Sequence, residues 1–221
     1  MNVSLPRLLL IADRFTDPKR ADRVAQAVAA GVAWVQLRDH SVDAFTFARV
    51  AKELVGRLRA LRPEVLVTVN THVALAQQLG LGVHVGLRGP SVAEARRQVG
   101  SQLLLGYSAH DVASAQQAAS EGADYVVFSP VFATRSKPER PPAGLEALKA
   151  VCQNVCIPVV ALGGITPERV SDCLQQGAYG VAVVSAILEA PDPKQAVRAF
   201  LDACKSLDHT LCNPKHDPFP L

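Results

Sequence analysis

Two glycine-containing turns near the end of the chain constrain its fold more than any other feature. Gly163-Gly164 follows the apolar run 158–162, and Gly180 opens an apolar run that reaches Ser185. Each run has the length of a strand and adjoins a helical pattern, as in the last two strand-to-loop turns of a parallel α/β barrel. Such turns bind phosphate, because a residue without a Cβ lets backbone N–H groups approach an anion. A lone Gly-Gly pair is more simply a strand cap, but the two turns together favour a ligand phosphate.

Strand-like and helix-like segments alternate along the chain, and the strands are almost continuously apolar, which is typical of a parallel sheet covered on its outer face. Eight strands are predicted, over residues 7–13, 34–38, 65–70, 82–86, 103–108, 125–130, 158–164 and 180–185. Helical patterns such as 20–30, 42–61, 111–121 and 167–176 end before Gly or Pro. We predict an α/β fold with a single (β/α)8 TIM barrel over residues 1–206 and a loose, proline-containing C-terminal tail over 207–221. Periodicity leaves an open doubly wound sheet as the alternative.

The composition and charge of the chain argue against several classes of function. The 221 residues are 49% hydrophobic and 19% charged, with 23 basic and 20 acidic residues and a formal net charge of +3. That balance is too weak for a nucleic-acid-binding surface. No apolar run approaches the roughly 20 residues of a membrane span, and the first residues resemble a strand rather than a signal peptide, so we expect a cytoplasmic protein. Five cysteines without a metal-binding spacing indicate buried or incidental thiols.

Polar residues at the strand ends are the candidates for chemistry, since barrel active sites lie there. Alternation points Gln36 and Arg38 into the barrel mouth, where an arginine can bind a phosphate or carboxylate. The equal alternative pairs Arg38 with Asp13. Asn70 ends the third strand, and Ser108 and His110 end the fifth.

Other residues are assigned more simply. A loop after the sixth strand carries Thr134, Ser136 and Lys137, and such a loop can fold over an anion or simply be solvated. His84 lies within the fourth strand and is interpreted as a hydrogen-bonding residue of the barrel wall. His40 and His72 are interpreted as exposed loop residues.

In order and spacing, several motifs resemble the thiamin phosphate synthase superfamily, including its TenI-like thiazole tautomerases, over about residues 8–203. The motifs are Val35-Gln-Leu-Arg38, Val83-His-Val-Gly86, Gly106-Tyr-Ser-Ala-His110, Gly122-Ala-Asp-Tyr-Val126, residues 130–137, residues 158–165 and residues 180–187. The resemblance implies that Ser108, Thr134, Ser136, Lys137, Gly163, Gly164, Val184 and Ser185 surround a thiazole phosphate.

Three departures separate the chain from the synthase pattern. His40 replaces a lysine that meets pyrophosphate, Thr71 replaces an aspartate that helps hold Mg²⁺, and residues 87–90 lack a second metal-binding aspartate. Mg²⁺ requires oxygen ligands, and Arg88 in that neighbourhood would repel the ion. The departures favour the tautomerase branch, which needs no cofactor and no metal.

The sequence thus predicts a thiazole tautomerase of thiamin biosynthesis, an isomerase that aromatises a thiazole carboxylate phosphate. His110 would transfer the proton, since an imidazole titrates near neutral pH. Its alternative role is to cap the following helix. The first alternative function is a thiamin phosphate synthase, with Mg²⁺, that joins hydroxymethylpyrimidine pyrophosphate to thiazole phosphate. The second is a non-catalytic thiamin-phosphate-binding regulatory protein. The expected partner is a phosphorylated thiazole, with no nucleic acid or membrane, and barrels of this size often form homodimers.

Overall fold

The computed structural model describes residues 5–134 and 141–205. In chain order the strands are β1 (Leu8–Asp13), β2 (Trp34–Arg38), β3 (Leu66–Asn70), β4 (Gly82–Val85), β5 (Leu105–Ala109), β6 (Tyr125–Phe128), β7 (Val159–Leu162) and β8 (Gly180–Val183). The helices are α1 (Pro18–Ala29), α2 (Ala44–Leu61), α3 (Val73–Leu79), α4 (Val92–Val99), α5 (Val112–Ser120), α6 (Gly144–Asn154), α7 (Pro167–Gln175), α8 (Ser185–Leu188) and α9 (Pro193–Lys205).

The strands close into a barrel. Each pairs in parallel with the next, and β8 also pairs with β1, with Leu8 opposite Val181. This closure confirms the predicted (β/α)8 barrel and excludes the open doubly wound sheet. The predicted end of the domain at residue 206 and the loose tail at 207–221 lie outside the described residues and stay predictions.

β7 and β8 each end two residues earlier than the sequence predicts, and β4 and β6 also end early. β7 stops at Leu162 because Gly163 and Gly164 have φ of 107° and 62°, which break the extended ladder. β8 stops at Val183, and α8 begins two residues later at Ser185. Gly180 opens β8 for a packing reason, since a Cβ there would lie 2.3 Å from the carbonyl oxygen of Arg7.

The core has two layers. Apolar side chains between the strands and the helices form the larger one, and a smaller cluster around Leu9, Ile11, Trp34 and Tyr125 fills the barrel interior. Trp34 and Tyr125 pack edge to face with ring centroids 4.8 Å apart. Because side chains alternate along a strand, the inward residues that follow these apolar ones line the carboxyl end of the barrel.

Candidate active site at the carboxyl end of the barrel

A cavity of about 520 Å³ opens at the carboxyl ends of the strands. Inward-facing strand residues and the loops that follow β4, β6, β7 and β8 form its wall. Its polar side chains are Asp13, Gln36, Arg38, His40, Asn70, Thr71, His84, Arg88, Ser108, His110, Ser129, Thr134 and Ser185, and Gly163, Gly164 and Val184 line it as well. The structure therefore brings together all of the described residues that the sequence selects for the site. Ser136 and Lys137, from the same prediction, lie outside the described residues.

Arg38 and Asp13 form an ion pair in this wall. Arg38 Nε donates to Asp13 Oδ1 at 2.8 Å, and both side chains are about one quarter exposed. Asp13, the alternative partner suggested by the sequence, is thus paired with Arg38, and Arg38 also lines the cavity. Because the pair uses Nε, the two terminal nitrogens of the guanidinium remain for a second anion.

Gln36 carries a polar atom that the described protein leaves unsatisfied. The side chain is 2% exposed and lines the cavity, and its Oε1 has no hydrogen-bond donor among the described residues. A buried carbonyl oxygen without a donor is costly, so this atom favours a ligand that presents an N–H or O–H group.

His84 is a hydrogen-bonding residue of the barrel wall, as the sequence predicts, and one of its partners lines the cavity. Its Nε2 lies 2.8 Å from Ser108 Oγ, and its Nδ1 lies 3.1 Å from the hydroxyl of Tyr125. Burial lowers the pKa of His84 to about 3, with a further contribution from the nearby Arg38 charge. The imidazole is therefore neutral and hydrogen-bonds the hydroxyl of Ser108 at the cavity wall. The alternation of side chains along β4 predicts this contact, because His84 occupies an inward position two residues before Gly86.

His110 is held by a backbone carbonyl. Its Nδ1 lies 2.8 Å from the carbonyl oxygen of Ser129. A carbonyl only accepts, so Nδ1 carries the proton of this hydrogen bond. Asp111, not the His110 side chain, caps helix α5 by accepting from the backbone N–H of Ser114. The helix-capping alternative for His110 is therefore wrong.

The Gly163-Gly164 turn packs tightly against the loop after β6. A Cβ on Gly163 would lie 2.7 Å from Pro130 Cα, and one on Gly164 would lie 2.4 Å from the carbonyl oxygen of Ala133. Among the hydrogen bonds of the described residues, none uses the N–H of Gly164 or Ser185 as donor. The Gly163-Gly164 turn is thus tightly packed. The N–H groups of Gly164 and of Ser185, in the turn after β8, are available to bind an anion.

The residues at the two positions expected to hold Mg²⁺ do not fit that ion. Asn70 donates through Nδ2 to the carbonyl of His84 at 3.0 Å, and Thr71 follows it with φ of 69°. Leu87 and Arg88, both exposed, occupy the second position. Within residues 5–134 and 141–205, no group of three or more His, Cys, Asp or Glu side chains is placed to hold a metal ion.

The two other histidines differ in environment. His40 is exposed, as predicted, and lines the cavity. His72 is half-buried before α3, with its ring 4.0 Å from that of Phe47. Burial lowers the pKa of His72, and the nearby His40 lowers it further.

The four cysteines that the structure describes lie outside this cavity. Cys152, Cys173 and Cys204 are buried and Cys156 is exposed, while Cys212 lies outside the described residues. Burial raises the pKa of both Cys152 and Cys173 to about 12, so these two thiols stay protonated at neutral pH.

Comparison with known proteins identifies the family. The family model described as thiamine monophosphate synthase matches residues 8–187. The chain belongs to the thiamine monophosphate synthase family. This membership confirms the superfamily resemblance that the sequence motifs carry.

Relatives from this family match over most of their length. A thiamine-phosphate synthase of Chloroflexus aurantiacus is 39% identical, over 87% of this chain and 89% of the relative. A putative thiamine-phosphate synthase 2 of Aquifex aeolicus is 37% identical, over 85% of this chain and 100% of the relative. The solved structure of thiamine phosphate pyrophosphorylase from Pyrococcus furiosus superposes with a TM-score of 0.79 at 29% identity, covering 91% of this chain and 96% of that one.

The predicted tautomerase function is wrong, because these relatives are named as thiamine-phosphate synthases, which are transferases and not isomerases. The prediction gave too much weight to the missing metal ligands at positions 71 and 87–90. Those positions show only that two expected carboxylates are absent, and the cationic side chains of Arg38 and Arg88 line the same cavity.

No helix in the described part of the chain is long and apolar enough to cross a membrane. The expected homodimer, the cytoplasmic location and the absence of nucleic-acid binding stay predictions.

Proposed function

We propose that the protein is a thiamine-phosphate synthase, a transferase that joins hydroxymethylpyrimidine pyrophosphate to thiazole phosphate and releases pyrophosphate. The names of the relatives and the family membership support this function. The structural observation that carries it is one cavity with anion-binding features on two sides. Arg38 is the last residue of β2 and Arg88 follows β4, whereas the backbone donors of Gly164 and Ser185 follow β7 and β8.

Barrel geometry separates these two sides. In a closed eight-strand barrel β3 lies across from β7, so the loops around β3 face the loops of β7 and β8. The thiazole phosphate binds the backbone N–H groups of Gly164, Val184 and Ser185, with Gly163, Thr134, Ser136 and Lys137 near it. The pyrophosphate of the other substrate then extends toward Arg38. This arrangement brings the two reacting centres together in the middle of the cavity.

The unsatisfied Gln36 Oε1 suits the pyrimidine. An aminopyrimidine presents N–H donors, and one such donor would satisfy this buried oxygen. Asn70 and Ser108 line the same cavity and offer further polar contacts. The substrate thus supplies the hydrogen bond that the protein interior lacks.

The reaction itself is a displacement. The thiazole nitrogen forms a bond to the methylene carbon of the pyrimidine, the carbon–oxygen bond to pyrophosphate breaks, and pyrophosphate leaves with the electron pair. Neither the thiazole nitrogen nor the methylene carbon loses a proton, so the reaction does not require His110 as an acid or base. We therefore assign His110 to substrate binding, oriented by its hydrogen bond to the Ser129 carbonyl.

Genetic complementation tests this function. A bacterial strain that lacks its own thiamine-phosphate synthase should grow without thiamine when it expresses this protein. Arg38→Gln should abolish the growth, and Arg59→Gln, an exposed arginine on α2, should leave it unchanged. Failure of the soluble wild-type protein to support growth would contradict the proposal.

A further inference from the structure

Acidic side chains at the cavity are scarce and already engaged. Asp13 is the one carboxylate among the described lining residues, and it accepts from Arg38 Nε. Asp39, the neighbour of Arg38, is buried and accepts from Thr16 Oγ1 and from the backbone and side chain of Ser41. Burial opposes ionisation of Asp39, but these hydrogen bonds outweigh it and lower its pKa. Both oxygens of Asp39 thus accept hydrogen bonds, and the charge of Asp13 is already paired with the Arg38 guanidinium.

A cationic side chain, Arg88, stands near the position where the second carboxylate is expected, and Arg38 lies in the same cavity. Arg88 lines the cavity from the loop after β4, is exposed, and forms no ion pair or side-chain hydrogen bond with any residue that the structure describes. Arg38 lines the same cavity from β2 and has terminal nitrogens outside its pair with Asp13. Planar guanidinium groups bind phosphate oxygens through paired hydrogen bonds. The described lining therefore attracts a polyanion and repels a divalent cation.

We propose that this protein, acting in the synthase reaction proposed above, binds the pyrophosphate group through Arg38 and Arg88 and not through a protein-held Mg²⁺. As the carbon–oxygen bond breaks, negative charge accumulates on the leaving pyrophosphate. The two guanidinium groups stabilise that charge, and His40 at the rim of the cavity is a third side chain with a nitrogen donor. Any Mg²⁺ that accompanies pyrophosphate is then ligated by phosphate oxygens and water.

Calorimetric titration of inorganic pyrophosphate into the intact protein tests this assignment without turnover. We expect the dissociation constant in EDTA to lie within about threefold of the value in Mg²⁺, and Arg88→Gln to weaken binding in EDTA by about tenfold, since hydrogen bonds to charged groups are strong. Arg97→Gln, an exposed arginine on α4 away from the cavity, should bind as the wild type does. Binding that requires Mg²⁺, or an unchanged Arg88→Gln, would overturn the proposal.

A variant that introduces a carboxylate at position 71 provides a second test of the proposal. Thr71 lies in the left-handed region, which aspartate tolerates better than a β-branched residue, so Thr71→Asp places an acid beside Asn70 without added backbone strain. We expect Thr71→Asp to weaken pyrophosphate binding in EDTA by about tenfold and Mg²⁺ to recover it, whereas Thr71→Asn should show neither effect. Equal behaviour of Thr71→Asp and Thr71→Asn would contradict the inference.

The two proposals fail in different ways. Absence of thiamine phosphate in a Mg²⁺-containing assay, with tight pyrophosphate binding in EDTA, would refute the synthase function and leave a pyrophosphate site. Product formation with pyrophosphate binding that depends on Mg²⁺ would refute the arginine site alone.

Discussion

His84 and Ser108 share a hydrogen bond of 2.8 Å between Nε2 and Oγ, where the barrel interior meets the cavity. The other imidazole nitrogen contacts the hydroxyl of Tyr125, whose ring also packs on Trp34 in the barrel interior. His84 thereby fixes the orientation of a cavity hydroxyl from a rigid and fully buried position. Several measurable consequences depend on this link and on the backbone geometry around it.

Removal of the Ser108 hydroxyl should reduce activity with little effect on folding. We expect Ser108→Ala to lower kcat/KM for thiamine phosphate formation by up to about tenfold, because one hydrogen bond between neutral groups contributes about 0.5–1.5 kcal/mol. Steady-state kinetics would measure the loss, and Ser101→Ala, on the exposed surface, is the matched control. Wild-type kcat/KM in Ser108→Ala would show that Ser108 does not contact the substrate.

The buried His84 should make stability depend on pH. Its pKa is about 3 in the folded protein and 6.5 in an unconstrained chain, so between these values the unfolded state binds the extra proton. The free energy of unfolding should be highest above pH 6.5 and fall toward pH 3, with a slope of at most about 1.4 kcal/mol per pH unit from this residue. Urea unfolding across that range should show a shallower slope in His84→Gln than in the wild type. An unchanged slope would mean that His84 is protonated in the folded state.

Thr71 should destabilise the fold through its backbone. Its φ of 69° is strained for a β-branched side chain and costs about 1–3 kcal/mol, whereas asparagine tolerates this region. We expect Thr71→Asn to raise the free energy of unfolding by about 1 kcal/mol, measured by urea denaturation. Thr71→Val keeps the branched carbon and should show no gain. A stabilised Thr71→Val would point to a cause other than backbone strain.

Alanine substitutions at Gly164 and Gly56 should change the free energy of unfolding in opposite directions. Gly164→Ala should lower the free energy of unfolding by about 1–3 kcal/mol, because φ is 62° and the new Cβ would lie 2.4 Å from the Ala133 carbonyl oxygen. Gly56→Ala, on the exposed side of α2 with nothing within 4 Å, should raise it by about 0.5–1 kcal/mol. Thermal or urea unfolding measures both. Tolerance of alanine at position 164 would mean that the turn can separate from the β6 loop.

Strand periodicity carries most of what the sequence could predict. It predicts eight alternating strand and helix units, without excluding an open sheet, and points Gln36, Arg38 and Ser108 toward one cavity, because parallel strands share a carboxyl end. It leaves the Arg38 partner open, since a pairing between β1 and β2 fixes Asp13 beside Arg38 only once the register is known. The positive φ of Thr71 has no recognisable signature in the amino-acid sequence. The choice between the two activities was wrong because the absence of expected metal ligands from the sequence does not show how the folded site binds its substrates.

Product formation by the purified protein tests the proposed synthase function most directly. Hydroxymethylpyrimidine pyrophosphate and thiazole phosphate are mixed with the enzyme, and thiamine phosphate and pyrophosphate are quantified over time by chromatography. We predict that both products appear in equal amounts, only when both substrates are present, and that Arg38→Gln slows their formation at least about a hundredfold. Consumption of neither substrate by a folded wild-type protein, or pyrophosphate release without thiamine phosphate, would contradict the assignment.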